Sequence, residues 1–154
     1  MKTKLIIIAM ALFSLFGCKS DAQDKQLVSV EYNRVAMRSS LNMRITTSET
    51  NDSIMMYFED GETNESGSFQ ISQNTFDSLA NIVLKMNRPL NFNLFFVRDL
   101  TETFKVTFIK NDRTREYKYK RWKIVNKKTL EREEQAIQLM RECIDNYRKT
   151  REQV

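Results

Sequence analysis

Most of the chain after residue 26 alternates between apolar and polar residues, which is the pattern of strands with one buried face. The alternation is clearest in three stretches, whose apolar members are Val28, Val30 and Tyr32; Leu41, Met43 and Ile45; and Ile54, Met56 and Phe58. Gly61 and Gly67 then bracket a polar segment, which predicts a hairpin. Phe69 and Ile71 fall in its returning strand. The first part of the chain is therefore predicted to be an antiparallel meander.

The spacing of the apolar residues changes from two to three or four after Ser72, which indicates a helix. Its apolar stripe contains Phe76, Leu79, Ala80, Val83 and Met86. Ser72 or Asn74 can cap the N-terminus of this helix through a side-chain oxygen. Arg88-Pro89 is expected to end it, because proline disfavours helical geometry in the residue before it.

Strand patterns return after this helix. Phe92 to Val97 is apolar at nearly every position, which predicts a central strand. Another strand carries Phe104, Val106 and Phe108. A polar turn at Asn111-Asp112-Arg113 precedes the last strand, which is predicted from Tyr117 to Val125. The closing helix is predicted from about Lys127 to Lys149, and its apolar side contains Leu130, Ile137, Met140, Ile144 and Tyr147.

Strands grouped in meanders with helices appended indicate an α+β fold. We expect an antiparallel sheet with two helices packed on it, a two-layer sandwich, rather than alternating βαβ units. The length of 154 residues and the apolar fraction of 41% suit a single domain with its own core. This domain is placed at residues 27–150, followed by a short tail at residues 151–154.

The composition excludes several kinds of chemistry. The chain has no histidine, so Ser-His-Asp and Cys-His relays and histidine-containing zinc sites are not possible. Its two cysteines are too few for a four-thiolate zinc site or an iron–sulfur cluster. Three glycines do not make a phosphate-binding loop. We expect no cofactor, no metal site and no catalytic residues.

Residues 1–17 have the composition of an export signal. Lys2 and Lys4 precede an apolar run over residues 5–16, which is shorter than the roughly 20 residues that span a bilayer. Cys18 follows Gly17 directly. The segment resembles the lipobox signal of bacterial lipoproteins, in which the cysteine is lipidated and becomes the first residue after cleavage. This resemblance implies a signal peptide at residues 1–17, lipidation of Cys18 and a polar tether over residues 18–26.

The same resemblance implies a place in the cell envelope. Lys19 differs from the aspartate associated with inner-membrane retention, and the acidic Asp21 and Asp24 resemble the export signal of Bacteroidota surface lipoproteins. The outer membrane is therefore expected rather than the inner one, and the periplasmic and surface sides stay open. The alternatives are an ordinary secretory signal with a chance cysteine, or an uncleaved anchor.

Positive charge is concentrated late in the chain. Residues 98–154 contain 16 basic and 10 acidic residues, against 7 and 10 in residues 18–97. The candidate anion-binding or partner-binding residues are Lys118, Lys120, Arg121, Trp122 and Lys123. Lys118, Lys120 and Trp122 share one strand parity and Arg121 has the other, so a regular strand does not present them all on one face. Alternatively, the lysines form a solvated strand face that discourages aggregation.

Four carboxylates, Glu59, Asp60, Glu62 and Glu65, cluster around the glycine turn. Paired carboxylates across a cleft are what a glycosidase needs. Solvated acids at a hairpin tip are the alternative that we favour.

Three further residues are candidates for modification or reactivity. The tripeptides containing Ser53 and Ser78 resemble the short sites at which Bacteroidota O-glycosylate exported proteins, and Ser53 is the better candidate because it is predicted in a loop. Cys143, on the apolar side of the closing helix, is expected to be an unreactive core thiol.

Taken together, these features predict a lipid-anchored cell-envelope protein with a small non-enzymatic binding or accessory domain, of the inhibitor or immunity type. Its expected partners are the membrane, through the lipid on Cys18, and either another envelope protein or an anionic glycan or lipid. Nucleic acid is a poor fit for an exported chain. The alternatives are an envelope glycan hydrolase with paired carboxylates, and a module that binds anionic lipid or glycan.

Overall fold

A computed structural model describes residues 25–36, 39–48, 53–89, 101–120 and 126–153. Its elements, in chain order, are β1 (Lys25–Ala36), β2 (Ser39–Thr47), β3 (Ile54–Asp60), β4 (Glu65–Gln70), α1 (Gln73–Val83), β5 (Thr101–Lys110), β6 (Arg113–Lys120) and α2 (Lys127–Glu152). The six strands form one antiparallel sheet in the order β4-β3-β2-β1-β5-β6. The predicted α+β fold is confirmed.

One face of the sheet is apolar and is covered by both helices. Residues in register across the six strands form two rows on this covered face. The first row is Phe69, Met56, Ile45, Val30, Val106 and Tyr117, and the second is Gly67, Phe58, Met43, Tyr32, Phe104 and Tyr119. Buried residues of the two helices complete a single core with these rows: Phe76, Leu79 and Val83 from α1, and Ala136, Ile137, Met140 and Ile144 from α2.

The central strand β1 contains a bulge that changes which residue faces the core. The pairing with β5 shifts between Leu27 and Ser29, so Val28 is the extra residue. Leu27 is buried, whereas Val28 is only half-buried. The prediction that Val28 shares a face with Val30 and Tyr32 is therefore wrong, because simple alternation does not account for an inserted residue.

Both helices begin where a side chain can cap them. The Ser72 hydroxyl accepts from the Thr75 N–H at 3.2 Å, which confirms one of the two predicted caps of α1. The helix ends at Val83, five residues before Arg88, although Met86 is still buried beyond it. Asn126 caps α2 in the same way. This helix continues to Glu152, three residues beyond the predicted end.

The later strands differ from the prediction in their bounds. β6 spans Arg113–Lys120, four residues earlier than the predicted start at Tyr117. The turn before it places Asn111 and Asp112 in the left-handed region, with φ values of 52° and 56°. Two left-handed central residues are the geometry of a tight type I′ hairpin. The strand predicted at residues 92–97 and the end of the last strand at residues 121–125 lie outside the described residues.

Candidate functional site

The second face of the sheet, here called the open face, has no described helix packed on it. Residues in register form three rows across the six strands: one contains Met55 and the buried Ser29 and ends at Glu116 on β6, and the other two are polar and more exposed. The first open-face row is Ser68, Tyr57, Arg44, Glu31, Lys105 and Lys118, and the second is Ser66, Glu59, Asn42, Asn33, Thr103 and Lys120. Strands about 4.8 Å apart make each row roughly 24 Å long. The open face is therefore a wide polar surface whose side chains are held in fixed register.

Charges of alternating sign stabilise the centre of the open face. Glu31 on β1 pairs with Arg44 on β2, with 3.7 Å between Oε1 and Nε, and with Lys105 on β5, with 2.8 Å between Oε2 and Nζ. Lys105 also lies 3.8 Å from a carboxylate oxygen of Glu116 on β6. These four side chains form a charge ladder over four neighbouring strands. Each exposed pair contributes about 0.2–1 kcal/mol.

A concavity of about 680 Å³ lies at the β3–β4 end of the open face. Tyr57 lies in it and exposes 43% of its surface. Its register partners are Arg44 on β2 and Ser68 on β4. Glu59 and Asn42 lie in the neighbouring row and also line the concavity. The flat ring can pack against an apolar part of a ligand, while the surrounding groups form hydrogen bonds with its polar part.

The β3–β4 hairpin is clamped to the C-terminal part of α2 by Arg148. The guanidinium Nε donates to Glu65 Oε2 at 2.8 Å, and Nη2 donates to Asp60 Oδ2 at 3.3 Å. Asp145, one turn back on the helix, lies 3.7 Å from Nη1. Phe58 lies under the cation, with 5.6 Å between the guanidinium carbon and the ring centre.

The four hairpin carboxylates are consequently not equivalent. Glu59 and Glu62 are exposed, as expected for a hairpin tip, but Asp60 and Glu65 are held by Arg148. Burial alone would raise the pKa of Asp60. It is outweighed by the backbone N–H groups of Glu62 and Thr63, the Thr63 hydroxyl and Arg148, so that the pKa lies below its ordinary value of 3.8. Burial lowers the pKa of Arg148, but the two carboxylates outweigh it and raise the value overall.

The hairpin and α2 also meet through aromatic rings. Phe69 stacks on Tyr147 with 4.4 Å between ring centres, and Phe58 meets Tyr147 edge-on at 6.1 Å. Gly67 leaves room for these rings, because a Cβ atom at this position would lie 2.7 Å from Phe58 Cε1 and 3.4 Å from Tyr147 Cε1. The turn covers residues 61–64 and Gly67 lies within β4; neither Gly61 nor Gly67 has a positive φ, and the left-handed residue of the turn is Asn64 at φ 53°.

The structure places only part of the predicted basic site. Lys118 and Lys120 are exposed and share the open face, whereas Tyr117 and Tyr119 point to the core, as their strand parity predicts. The Tyr119 hydroxyl donates to the Asn87 carbonyl at 2.8 Å. Burial, followed by the effect of Tyr117, raises the pKa of Tyr119, so this phenol stays protonated. Arg121, Trp122 and Lys123 lie outside the described residues, as does the lipidation candidate Cys18.

The modification candidates lie in different environments. Ser53 lies directly before β3, is half-buried, and its carbonyl accepts from the Ser48 N–H at 2.8 Å. Ser78 is exposed on α1, and its hydroxyl donates to the Asn74 carbonyl.

Cys143 and Glu133 of α2 both lie against the core. Cys143 is a free, half-buried thiol at the edge of the core, and burial, helped by Glu142, raises its pKa and so disfavours the reactive thiolate. Glu133 is fully buried on the core side of α2. Its burial does not follow from the sequence pattern, because a carboxylate does not contribute to an apolar stripe.

The comparisons with known proteins yield no relative. No family model matches the chain, and no curated protein and no solved structure matches it significantly. Within residues 25–153, excluding the undescribed gaps, no helix is long and apolar enough to cross a membrane. The same described part of the chain contains no group of three or more metal-ligating side chains of the Cys, Asp or Glu type.

Proposed function

We propose that this protein is a lipid-anchored, non-enzymatic binding protein of the bacterial cell envelope, and that the open face of its sheet is the binding surface. The observation that carries the proposal is the difference in composition between the two faces of the sheet. The covered face contains the core, whereas the open face presents two long polar rows with one exposed aromatic ring. The residues of the open face are not needed to fill the core, and they are therefore available for recognition.

The proposed partner is another envelope protein, in the manner of an inhibitor or accessory subunit. The open face changes in charge along its second row, from Glu59 near the hairpin to Lys120 on β6. A partner with the opposite gradient would be oriented by this field. Tyr57 is the anchor residue in this account, since exposed tyrosines in a polar surround are frequent energetic centres of interfaces.

A glycan is the second candidate ligand, and Tyr57 is also the observation that favours it. A sugar can lie on the phenol ring while Asn42, Glu59 and Arg44 bond its hydroxyl groups, all within the 680 Å³ concavity. Lys118 and Lys120 lie at the far end of the two rows, where they could bind acidic substituents. Binding of an acidic glycan there should weaken steeply with salt, whereas binding of a neutral glycan should not.

The hydrolase alternative is less well supported by the carboxylates near the cleft. A general acid needs a raised pKa, but the pKa of Asp60 is lowered. Arg148 forms ion pairs with both Asp60 and Glu65, which supports a structural role for these two carboxylates.

The anchor and the binding surface are tested separately. A Cys18→Ser variant should move from the membrane fraction to the soluble envelope fraction, while tight attachment of the variant would argue against lipidation. For the open face, a photo-reactive phenylalanine derivative is placed at Tyr57 or, as a matched control, at the exposed Gln138 on α2. In producing cells, the probe at residue 57 should give one discrete adduct that the probe at residue 138 does not. Identical adducts, or none at either position, would contradict the assignment.

A further inference from the structure

A second, smaller cleft of about 240 Å³ lies between the sheet and the C-terminal half of α2, on the covered side, and shares Phe58 and Asp60 with the lining of the larger concavity. Its apolar lining consists of Leu41, Met43, Phe58 and Ile144. Arginines border it from both elements: Arg34 from β1, and Arg141 and Arg148 from α2. An apolar cleft with a few convergent polar groups is the usual form of a small-molecule site.

Arg34 is the residue that points to a ligand. It follows Val30 and Tyr32 on the covered face, so its half-buried side chain is directed towards the helix layer. One terminal nitrogen, Nη2, donates to the neutral Ser39 hydroxyl at 3.3 Å. Its Nε is buried and has no acceptor among the described residues. A buried donor without an acceptor costs about 1–3 kcal/mol, and an oxyanion in the cleft would supply the missing acceptor.

The other charges of the cleft leave room for an added anion. Arg148 already pairs with Asp60 and lies 3.7 Å from Asp145, so these three side chains are largely committed to one another. Arg141 is exposed and forms no ion pair within the described part of the chain, and Glu62 is an exposed residue of the hairpin tip.

Glu102 is the acidic group in register with Arg34 on β5. Its carboxylate accepts from the Tyr32 hydroxyl at 3.4 Å, and it does not line the cleft. Arg34 and Arg141 are thus the two cations that the cleft can offer to a ligand.

We propose that this cleft binds the carboxylate of a small organic acid, held by Arg34 and Arg141 with its apolar part against Met43, Phe58 and Ile144. The planar guanidinium fork matches the two oxygens of a carboxylate, and Nε is one of the two donors that such a fork uses. The apolar lining distinguishes an organic acid from an inorganic anion, because only the former gains from burial there.

The test is a titration of the isotopically labelled full-length chain with acetate, butyrate and inorganic phosphate, followed through the arginine Nε–Hε signals by NMR. Acetate should shift the Arg34 signal saturably, with a dissociation constant on the order of 10 mM. Butyrate should bind about tenfold more tightly, because it buries two further methylene groups. Arg34→Met should weaken butyrate binding on the order of tenfold or more, and Arg34→Lys should restore only part of it.

Two controls keep the outcome decisive. Arg113→Met removes an exposed arginine at the start of β6, which lines neither the cleft nor the larger concavity, and should leave butyrate binding unchanged. Arg141→Gln alters an exposed residue and should weaken binding even if Arg34→Met does not fold. Shifts that rise linearly without saturation, equal affinity for phosphate and butyrate, or unchanged binding in both cleft variants would overturn the proposal.

Discussion

The two faces of the sheet are built from the same six strands, but a substitution should lower the free energy of unfolding much more on the covered face than on the open face. On β5, Phe104 faces the core and is fully buried, while the next residue, Lys105, joins the charge ladder of the open face. Because successive residues of a strand point in opposite directions, core residues and residues of the proposed binding surface alternate along one segment. Residues of the open face can therefore be substituted at a lower cost in stability than residues of the core.

The largest expected effect is on the covered face. Phe104→Ala removes a fully buried ring from the row that joins Tyr32 and Tyr119, and should lower the free energy of unfolding by about 3–5 kcal/mol. Lys105→Ala, one residue away, should cost about 1 kcal/mol or less, because it removes only partly exposed ion pairs. Urea unfolding of both variants measures the difference. Equal losses would remove the distinction between the faces.

Gly67→Ala adds a single methyl group to the covered face at the hairpin. The new Cβ would lie 2.7 Å from Phe58 Cε1, and stacking between Phe69 and Tyr147 limits how far the rings can move. We expect a loss of about 1–3 kcal/mol from overpacking. The matched control is Ser66→Ala, an exposed change in the same strand, which should stay within about 0.5 kcal/mol. A thermal-shift series separates the two, and a neutral Gly67→Ala would show that the rings adapt freely.

These positions also show how far the fold and the site could be predicted from the sequence. Local patterns determine the Ser72 cap, the turn at Asn111 and the two-sided placement of Lys118 and Tyr119, because each depends on neighbouring residues. The pairing of β1 with β5 joins residues about 75 apart, and no local period encodes it.

The ion pairs of Arg148 and the packing around Gly67 could not be predicted, because both depend on contacts between distant parts of the chain. Arg148 meets Asp60 and Glu65 across 88 and 83 residues, so its role follows from docking of the helix. The position of Gly67 in the sequence predicts a turn residue, but in the structure Gly67 lies within β4, where it accommodates rings from β3 and α2.

Arg148→Met tests the junction between the hairpin and α2. It leaves Asp60 and Glu65 without their cation, and we expect a loss of about 1–2 kcal/mol at neutral pH. Lys149→Met, an exposed neighbour, is the control and should be nearly neutral. Urea unfolding at low salt is the measurement, and a loss no greater than that of the control would mean that the clamp is dispensable.

The free energy of unfolding should also depend on pH differently in the wild-type chain and in Arg148→Met. The pKa of Asp60 is lower in the folded chain than its ordinary value of 3.8, so the unfolded chain binds more protons in acid. Its contribution to stability is therefore complete above about pH 4 and disappears as the pH falls through the folded value. Arg148 contributes less to this lowering than the backbone groups, which the variant keeps, so the wild-type chain should lose only slightly more stability than Arg148→Met between pH 5 and pH 2, by about 0.5 kcal/mol or less. Parallel pH curves for the two proteins would contradict a contribution of Arg148 to the lowered pKa.

The smallest effect on stability is expected at the proposed binding residue. Tyr57→Ala removes a side chain with 43% exposure from the open face and should change the free energy of unfolding by about 0.5 kcal/mol or less. Its consequence should appear instead in crosslinking. A photo-reactive probe at Asn42, on the same face, should form the adduct when Tyr57 is present and should not form it in Tyr57→Ala. A strongly destabilised Tyr57→Ala would mean that this ring supports the fold.

The central claim is that the open face is occupied in the cell envelope while the outer side of α2 is not. In a Cys143→Ala background, single cysteines replace the exposed Ser68 or Val35 on the open face, or Gln138 on α2, so that Tyr57 is kept. The rate of maleimide labelling is compared between intact envelopes and purified protein. The account predicts that labelling at residues 68 and 35 slows at least several-fold in the envelope, while labelling at residue 138 is unchanged. Equal rates at all three positions, or slowing at residue 138 alone, would contradict it.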